Sequence, residues 1–268
     1  VLTSVQVVDA TSLGNTDLDG IYGITITPDG SQLIATSRQA KTVTVFAIDA
    51  NTGQLTLSQT LRNDVEGVTS LHVPSNPIVT PDGTVVMVPS DNGFDSLFFD
   101  RDPSTGLLTV GQPNENFGWI DHGVISEDGR FIFLAAGDAT TRVLERNQTT
   151  GDFAQIDAAS TGPDSPTRLA LSADQRSLYF LSQYSDVLGR FSLDPQSGSL
   201  TLEQTLTHIF DVELLDQPIG LGVSPDGANV YVATENSPTI HTFDVHQGIR
   251  PAIAHQLALA DGETASNI

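Results

Sequence analysis

A fivefold repeat constrains the fold of this chain more than any other feature of its sequence. Each copy is a short apolar segment, a tight turn and a second segment rich in β-branched and aromatic residues, as in "GITITPDGSQLIATS" and "GLGVSPDGANVYVAT". The turn aspartates are Asp29, Asp82, Asp128, Asp174 and Asp226. They recur about every fifty residues, which is typical of units built from four β-strands. Helical periodicity is absent, so we expect an all-β chain.

A second turn completes each unit. A turn glycine follows each aspartate turn by about two dozen residues, and strands such as "TVTVFAID" and "QLTLSQTL" flank it. Units of four antiparallel strands bury their faces when they pack radially, which predicts a β-propeller of four-stranded blades with five recognisable repeats. We expect one domain over 1–268, either a closed five-bladed ring or a part of a longer propeller. The predicted blades are 17–70, 71–120, 121–165, 166–217 and 218–268, with 1–10 as an extra outer strand.

The charge of the chain excludes several classes of partner. Eleven basic and 33 acidic residues give a net charge of −22, which disfavours nucleic acid and anionic membrane surfaces.

Cysteine is absent, so disulfides, thiolate metal sites and cysteine nucleophiles are excluded. No apolar run is long enough for membrane insertion. The chain starts at Val1 without Met, and we expect a processed protein that is secreted, periplasmic or on the cell surface.

The start of each innermost strand is the candidate site. Variable loops on a rigid scaffold are where binding and catalytic residues concentrate. Counting back from each aspartate turn gives one equivalent position per blade, followed through the chain as Gly23, Asn76, His122, Arg168 and Gly220. The preceding positions hold Tyr22, Ser75, Asp121, Thr167 and Ile219. Equivalent positions of successive blades thus carry different residues.

The cycle "TPDG…LIATS…TVTVFAIDANTGQLTL" resembles the lactonase-type β-propeller family, which includes 6-phosphogluconolactonase-like proteins and muconate-cyclising enzymes. The resemblance implies catalytic or substrate-orienting His and Arg residues near the blade entrances, and His122 and Arg168 match that position. His122 is the candidate general base, and Arg168 is the candidate group for holding a carboxylate or an oxyanion. Alternatively, both neutralise nearby acids such as Asp121 or bind backbone carbonyls.

Aromatic and polar residues near the same loops are candidate ligand-binding groups. They are Trp119, Asp121, Tyr22, Asn76 and Tyr184. Aromatic rings beside polar groups suit a carbohydrate or another ring-bearing ligand. Trp119, the only tryptophan, could instead fill the gap between two blades.

The segment "NTDLDG" suggests calcium. Asn15, Asp17 and Asp19 place oxygen donors at alternate positions before a glycine, as calcium loops do. The twelfth position of such a loop is Ile26 rather than Glu, so an EF-hand is excluded. The alternatives are a partial calcium loop or an ordinary acidic loop, and we expect no other cofactor.

Three functions remain open. Our leading interpretation is a binding or scaffold module that takes a small molecule, a carbohydrate or a protein on its loop face. The alternative is a lactone-processing enzyme, a hydrolase or a cycloisomerase. A glycosidase is a weaker third, because Asp121 lacks a second carboxylate partner. We also expect burial between blades for apolar residues on the inner strands: Ile24, Ile26, Val79, Val124, Leu169, Leu171, Leu221 and Val223.

Overall fold

The computed structural model describes residues 4–91, 95–162, 164–209, 212–213, 215–245 and 250–251. Almost all of its regular structure is β-strand, as the sequence predicts. In the described residues the only helix is α1 (Ala10–Leu13). This single turn is far too short to span a lipid bilayer, and no other described segment forms a helix that could.

Five four-stranded sheets follow one another along the chain, and in each the strands lie in sequence order. The first is β1 (Ile21–Ile26), β2 (Gln32–Ser37), β3 (Thr42–Ile48) and β4 (Leu55–Arg62); the second is β5 (Ile78–Val79), β6 (Val85–Val88), β7 (Leu97–Arg101) and β8 (Leu108–Val110). The third is β9 (Ile120–Ile125), β10 (Phe131–Ala136), β11 (Thr140–Arg146) and β12 (Phe153–Ser160). The fourth is β13 (Arg168–Leu171), β14 (Ser177–Ser182), β15 (Val187–Leu193) and β16 (Leu200–Leu206). After the short hairpin β17 (His208–Ile209) and β18 (Val212–Glu213), the fifth is β19 (Pro218–Val223), β20 (Asn229–Thr234), β21 (Ile240–Asp244) and β22 (Arg250–Pro251). These are the five predicted four-stranded repeats.

The chain divides into two compact units. Unit 1 comprises residues 1–130 and 146–154, and unit 2 comprises residues 131–145 and 155–268. Unit 1 contains the first two sheets with β9, and unit 2 contains the last two sheets with β10.

The aspartate turns are built by short side-chain hydrogen bonds. In the first, the Thr27 hydroxyl donates to Asp29 Oδ1 at 2.6 Å, and the Ser31 amide donates to the same oxygen at 3.0 Å. Gly30 follows with a φ of 68°, a conformation that glycine adopts without a steric penalty. The same hydroxyl–carboxylate bond recurs at 2.6 Å from Thr80 to Asp82. The repetition therefore reflects turn chemistry, as the sequence indicates.

The core of unit 1 lies between its first two sheets. Ile34, Val43 and Val45 of the first sheet cluster with Val86 and Phe99 of the second, and all five are completely buried. Strands covered on both sides are expected to be almost entirely apolar. The run "VVMV" of β6, every residue of which is buried, fits this rule.

The opposite face of the first sheet is open. The predicted burial of Ile24 and Ile26 is wrong, because their side chains are 63% and 58% exposed. Both lie on the face that carries Ala35 and Phe46, and in the described part of unit 1 an N-terminal segment around Val5 lines this face. An inner strand is buried only where a sheet packs on it, and this face has only a short segment beside it.

Paired side-chain bonds link neighbouring sheets of unit 1. The Gln59 amide side chain donates to Leu108 O at 2.8 Å and accepts from Leu108 N at 2.8 Å. Gln112 makes the same two bonds to the backbone of Phe153. Residues 4–9 form no strand, yet Gln6 makes this pair of bonds to Leu55. Gln6 thus has the same kind of partners as Gln59 and Gln112, and the role of residues 1–10 as an outer strand stays a prediction.

Two arginines bind the aspartate turns of unit 1. Arg101, only 4% exposed, donates to Asp29 Oδ2 at 3.1 Å and to Gln32 Oε1 at 2.7 Å. Arg146 repeats the contact one sheet later, with Asp82 Oδ2 at 2.6 Å. Each arginine ends a third strand and reaches the aspartate turn of the preceding sheet.

Unit 2 has its own core between its last two sheets. Leu181 and Leu188 of the fourth sheet cluster with Val230, Val232 and Phe243 of the fifth.

Among the inner-strand residues, burial of Leu169 is confirmed at 3% exposure. The remaining predicted core residues are only half-buried: Val79, Val124, Leu171, Leu221 and Val223.

Candidate functional site

The inner strands of unit 1 begin beside one another, at the end of the sheets opposite the aspartate turns. The Thr36 hydroxyl donates to Ser75 O at 2.9 Å, and the Ser75 hydroxyl donates to Asp121 O at 2.9 Å. These bonds tie three successive blades together at one level. They place the predicted residues Tyr22, Asn76 and His122 at the starts of three successive inner strands, with Asn76 two residues before β5.

The first two inner strands touch at Gly23. A Cβ atom added there would lie 2.5 Å from Asn76 Oδ1 and 2.7 Å from Asn76 Cα. Both distances are shorter than any contact between such atoms, so only glycine allows this approach. Because Gly23 has no side chain, the half-buried Asn76 can lie directly against its backbone.

Arg38 is a site residue that the sequence reasoning missed. Its guanidinium carbon lies 3.3 Å from the centre of the Tyr22 ring, and its Nη2 donates to Asp91 Oδ2 at 2.7 Å. Its Nε is buried with no hydrogen-bond partner among the described residues. Arg38 lies one residue after β2 and Asp91 three residues after β6, and comparison of these two positions could have revealed them.

The third inner strand carries Asp121 and His122, both half-buried. The Ile120 amide anchors this strand by donating to Ser90 O at 3.0 Å, next to Asp91. Trp119 is 59% exposed, so its ring does not fill a gap between blades. The buried residue there is Phe117, whose ring packs edge-on against Phe98. An exposed indole next to Asp121 and His122 is open to a ligand.

Two further predicted residues belong to unit 2. Arg168 is half-buried at the start of β13, and its Nη1 donates to Thr167 O at 2.7 Å. One of its donors therefore binds a backbone carbonyl, which was the alternative role considered for this residue. Tyr184 is 83% exposed in the turn after β14. That His122 and Arg168 serve one site stays a prediction.

The suggested calcium loop contains an ion pair. Asp17 is buried, and its two carboxylate oxygens accept from Arg62 Nε at 2.9 Å and Nη2 at 2.5 Å. Asn15 Oδ1 accepts from the Asp17 amide at 3.0 Å, while Asp19 is exposed. Among the described residues no three His, Asp or Glu side chains stand close enough to hold a metal. Calcium binding stays a prediction, and an ion would have to displace Arg62.

The sequence matches one protein family over most of its length. The model of the family described as "Lactonase, 7-bladed beta-propeller" matches residues 1–117 and 122–250. The chain belongs to the lactonase family. His122 is the first residue of the second matched segment, whereas Trp119 and Asp121 fall between the two segments. No curated protein matches the chain.

Solved structures of lactonase propellers share this fold. A periplasmic gluconolactonase from Pseudomonas aeruginosa is 22% identical with a TM-score of 0.70, and the match covers 88% of this chain and 68% of that one. A putative 6-phosphogluconolactonase from Bacteroides fragilis is 20% identical with a TM-score of 0.69, over 84% and 66% of the two chains. A second one, from Bacteroides uniformis, is 14% identical with a TM-score of 0.71, over 88% and 70%. The chain spans about two thirds of the length of these neighbours.

Membership of the lactonase family corrects our leading interpretation. A binding or scaffold module is contradicted, and the alternative, a lactone-processing enzyme, is supported. The misleading signal was the lack of a sharp catalytic motif in the sequence. In a propeller the site residues come one from each blade, so no short stretch of sequence contains them together.

Proposed function

We propose that this chain is a lactonase that hydrolyses an uncharged sugar lactone, with His122 as its general base. The observation that carries the proposal is the family match, which includes His122. The named activities of the solved neighbours are lactone hydrolyses, which favours a hydrolase over a cycloisomerase.

The chemistry needs one base and one group that stabilises negative charge. His122 takes a proton from water, and the oxygen of that water attacks the lactone carbonyl carbon. The carbonyl oxygen becomes an oxyanion, and the bond from the carbonyl carbon to the ring oxygen then breaks. The ring oxygen leaves with the proton as a hydroxyl group, and the product is an open-chain hydroxy acid.

Asn76 is the candidate partner for the oxyanion. It is half-buried two residues before β5, and it lies against Gly23. Its neighbour Ser75 bonds to Asp121, the residue before His122. A side-chain amide fixed before the reaction stabilises developing negative charge without reorganising, which is the property of an oxyanion hole. The exposed Trp119 would then offer a flat apolar face to the sugar ring.

The charges near this end of unit 1 favour a neutral substrate. Of the cations there, Arg38 is paired with Asp91 and Arg62 with Asp17. Lys41 is exposed. A phosphate group needs unpaired arginine or lysine donors, and two of these three cations are already neutralised. We therefore propose a lactone without a phosphate.

We propose a location outside the cytoplasm. The support is the cysteine-free, strongly acidic composition and the periplasmic gluconolactonase among the structural neighbours.

The test is hydrolysis of glucono-1,5-lactone, followed by proton release and compared with the spontaneous rate. Replacement His122→Gln should lower kcat by about 10²–10⁴-fold, with an unchanged melting temperature. His241→Gln is the matched control, because that half-buried ring bonds to Thr239 Oγ1 at 2.8 Å in unit 2. A wild-type protein that accelerates no lactone, or a fully active His122→Gln variant, would contradict the proposal.

A further inference from the structure

In unit 1 an arginine at the end of a third strand binds the turn aspartate of the preceding sheet, and this contact is missing in the described part of unit 2. In each sheet the amide at the end of the third strand donates to the residue two after the turn aspartate: Ile48 to Ser31, Arg101 to Thr84, Arg146 to Arg130, Leu193 to Arg176 and Val245 to Ala228. Val245 is therefore the structural equivalent of Arg101 and Arg146. Those arginines bind the turn aspartates Asp29 and Asp82 of the preceding sheets. Val245 has no group that could bind Asp174 in the same way.

A cavity of 470 Å³ lies where that arginine would be. Its walls are the aspartate turn of the fourth sheet with Ser177, Tyr179 and Arg190, and the Pro225–Gly227 turn with Val245 of the fifth sheet. A volume of this size is in the range of small-molecule sites. The apolar core of unit 2 continues next to it, since Tyr179 also packs against Leu181 and Val230.

Asp174 offers an unused acceptor to this cavity. Its Oδ1 accepts from the Ser172 hydroxyl at 2.6 Å and from the Arg176 amide at 3.1 Å, which completes its own turn. Hydrogen bonds, first of all from the Ser172 hydroxyl, lower the pKa of Asp174, so it is ionised at neutral pH. In Asp29 and Asp82 the second oxygen, Oδ2, binds an arginine. No described residue donates to Oδ2 of Asp174.

Arg190 offers unused donors to the same cavity. Its Nε donates to Ser177 Oγ at 3.2 Å, and it forms no ion pair with any described residue. In a chain with three acidic residues for each basic one, an arginine without a carboxylate partner is unexpected. The cavity wall also carries the acidic side chains of Asp174 and Asp226. A carboxylate on a ligand therefore has to lie at Arg190, whose guanidinium can bind it through two hydrogen bonds.

We propose that this cavity, bounded by Asp174, Arg190 and Val245, binds a small hydroxylated carboxylate such as a sugar acid. The ligand's carboxylate pairs with Arg190, and one of its hydroxyl groups donates to Asp174 Oδ2. The Tyr179 phenol keeps its proton, because burial raises its pKa, and it supplies a further donor. This site is separate from the proposed His122 site and does not require catalysis.

The experiment is a titration of ¹⁵N-labelled protein with D-gluconate, with the Gly227 amide signal as the reporter. Acetate supplies the carboxylate without hydroxyls, and sorbitol supplies hydroxyls without the carboxylate. Gluconate should shift the Gly227 signal in a saturable way, with an apparent Kd at least about tenfold below that of either half-ligand. Equal binding of acetate and gluconate would overturn the assignment of the ligand class.

Two variants test the site. Arg190→Gln should weaken gluconate binding by about tenfold or more, whereas Arg142→Gln, which removes an arginine paired with Asp138, should not. Val245→Arg should place a guanidinium against Asp174, as Arg101 does with Asp29, and should block the cavity. Thermal melting of each variant checks that unit 2 is folded. Absence of any shift at Gly227, or a shift that survives in folded Arg190→Gln, would overturn the proposal; neither outcome bears on lactone hydrolysis.

Discussion

Single residues at the start of the inner strands decide which groups meet. Gly23 and Asn76 occupy equivalent positions in the first two repeats. In the structure they contact each other, because Gly23 leaves the space that Asn76 fills. Arg38 and Asp91 lie one and three residues beyond the ends of second strands; they bind each other, and Arg38 covers the Tyr22 ring. The equivalent positions were visible in the sequence, whereas these contacts depend on side-chain direction.

Replacement of Gly23 should be costly. In Gly23→Ala the new Cβ overlaps Asn76 Oδ1 and Cα, and the strand has to move, which costs about 1–3 kcal/mol of unfolding free energy. It should also lower kcat for lactone hydrolysis, since Asn76 is displaced. Urea unfolding and lactone assays measure the two effects.

Gly222→Ala is the matched control for that experiment. Gly222 lies on the inner strand β19, and no atom lies within 4 Å of a Cβ placed there. This variant should change stability by less than about 1 kcal/mol. Equal destabilisation by both substitutions would show that the contact with Asn76 is unimportant.

At the scale of elements, the turns carry much of the acidic charge. Hydrogen bonds from neighbouring hydroxyls and amides lower the pKa of several turn carboxylates below the ordinary value: Asp29, Asp49, Asp102, Asp174 and Asp194. Burial opposes the shift in all of these groups. In Asp82 burial is the largest single contribution, but bonds from Thr80, Arg146 and Thr84 together outweigh it, and the pKa is also lowered. Asn147 occupies one such turn without a charge and still accepts from the Thr149 amide at 2.8 Å.

The stability of the blades should therefore fall in acid. A carboxylate whose pKa is lower in the folded than in the unfolded chain stabilises the fold above the unfolded pKa, about 3.9 for Asp. This stabilisation is lost as the pH falls through the lower, folded value. Urea unfolding from pH 6 to pH 2 should show a steady loss that begins near pH 4.

Asp82→Asn isolates one of these groups. At pH 7 the variant loses the ion pair with Arg146 and should be less stable by about 1 kcal/mol, because the pair is partly exposed to solvent. The difference from wild type should shrink toward zero as the pH falls below 4. A difference that stays constant down to pH 2 would show that the pKa of Asp82 is not lowered by folding.

For the molecule as a whole, the net charge of −22 sets a long-range field that slows the approach of anions, although a local cation such as Arg190 can still bind one once it arrives. A phosphorylated lactone would be slowed by this field and a neutral lactone would not. Salt screens such repulsion, with a Debye length of about 10 Å at 0.1 M.

The two lactones should thus respond differently to salt. Between 10 and 200 mM NaCl we expect kcat/KM for 6-phosphogluconolactone to rise by about threefold to tenfold, while that for glucono-1,5-lactone stays within error. Steady-state assays with both substrates measure this. A preference for the phosphorylated lactone at low salt would reject the neutral-substrate proposal and leave the lactonase proposal intact.

The sequence by itself determined the β-propeller class, the five four-stranded repeats and the chemistry of the turns. These features are local: a hydroxyl two residues before an aspartate and a glycine just after it make the same turn wherever they occur. Because periodic strands must pack on one another to bury their apolar faces, the architecture follows from the repeat.

Only the tertiary structure decided which sheet faces are covered and which charges are paired. Ile24 and Leu169 are both apolar residues on inner strands, yet one is 63% exposed and the other 3%, because burial depends on whether another sheet lies against that face. The bonds of Arg62 to Asp17 and of Arg101 to Asp29 join residues 45 and 72 positions apart. Such pairs are set by how blades stack and by where each side chain points, and a sequence pattern encodes neither directly.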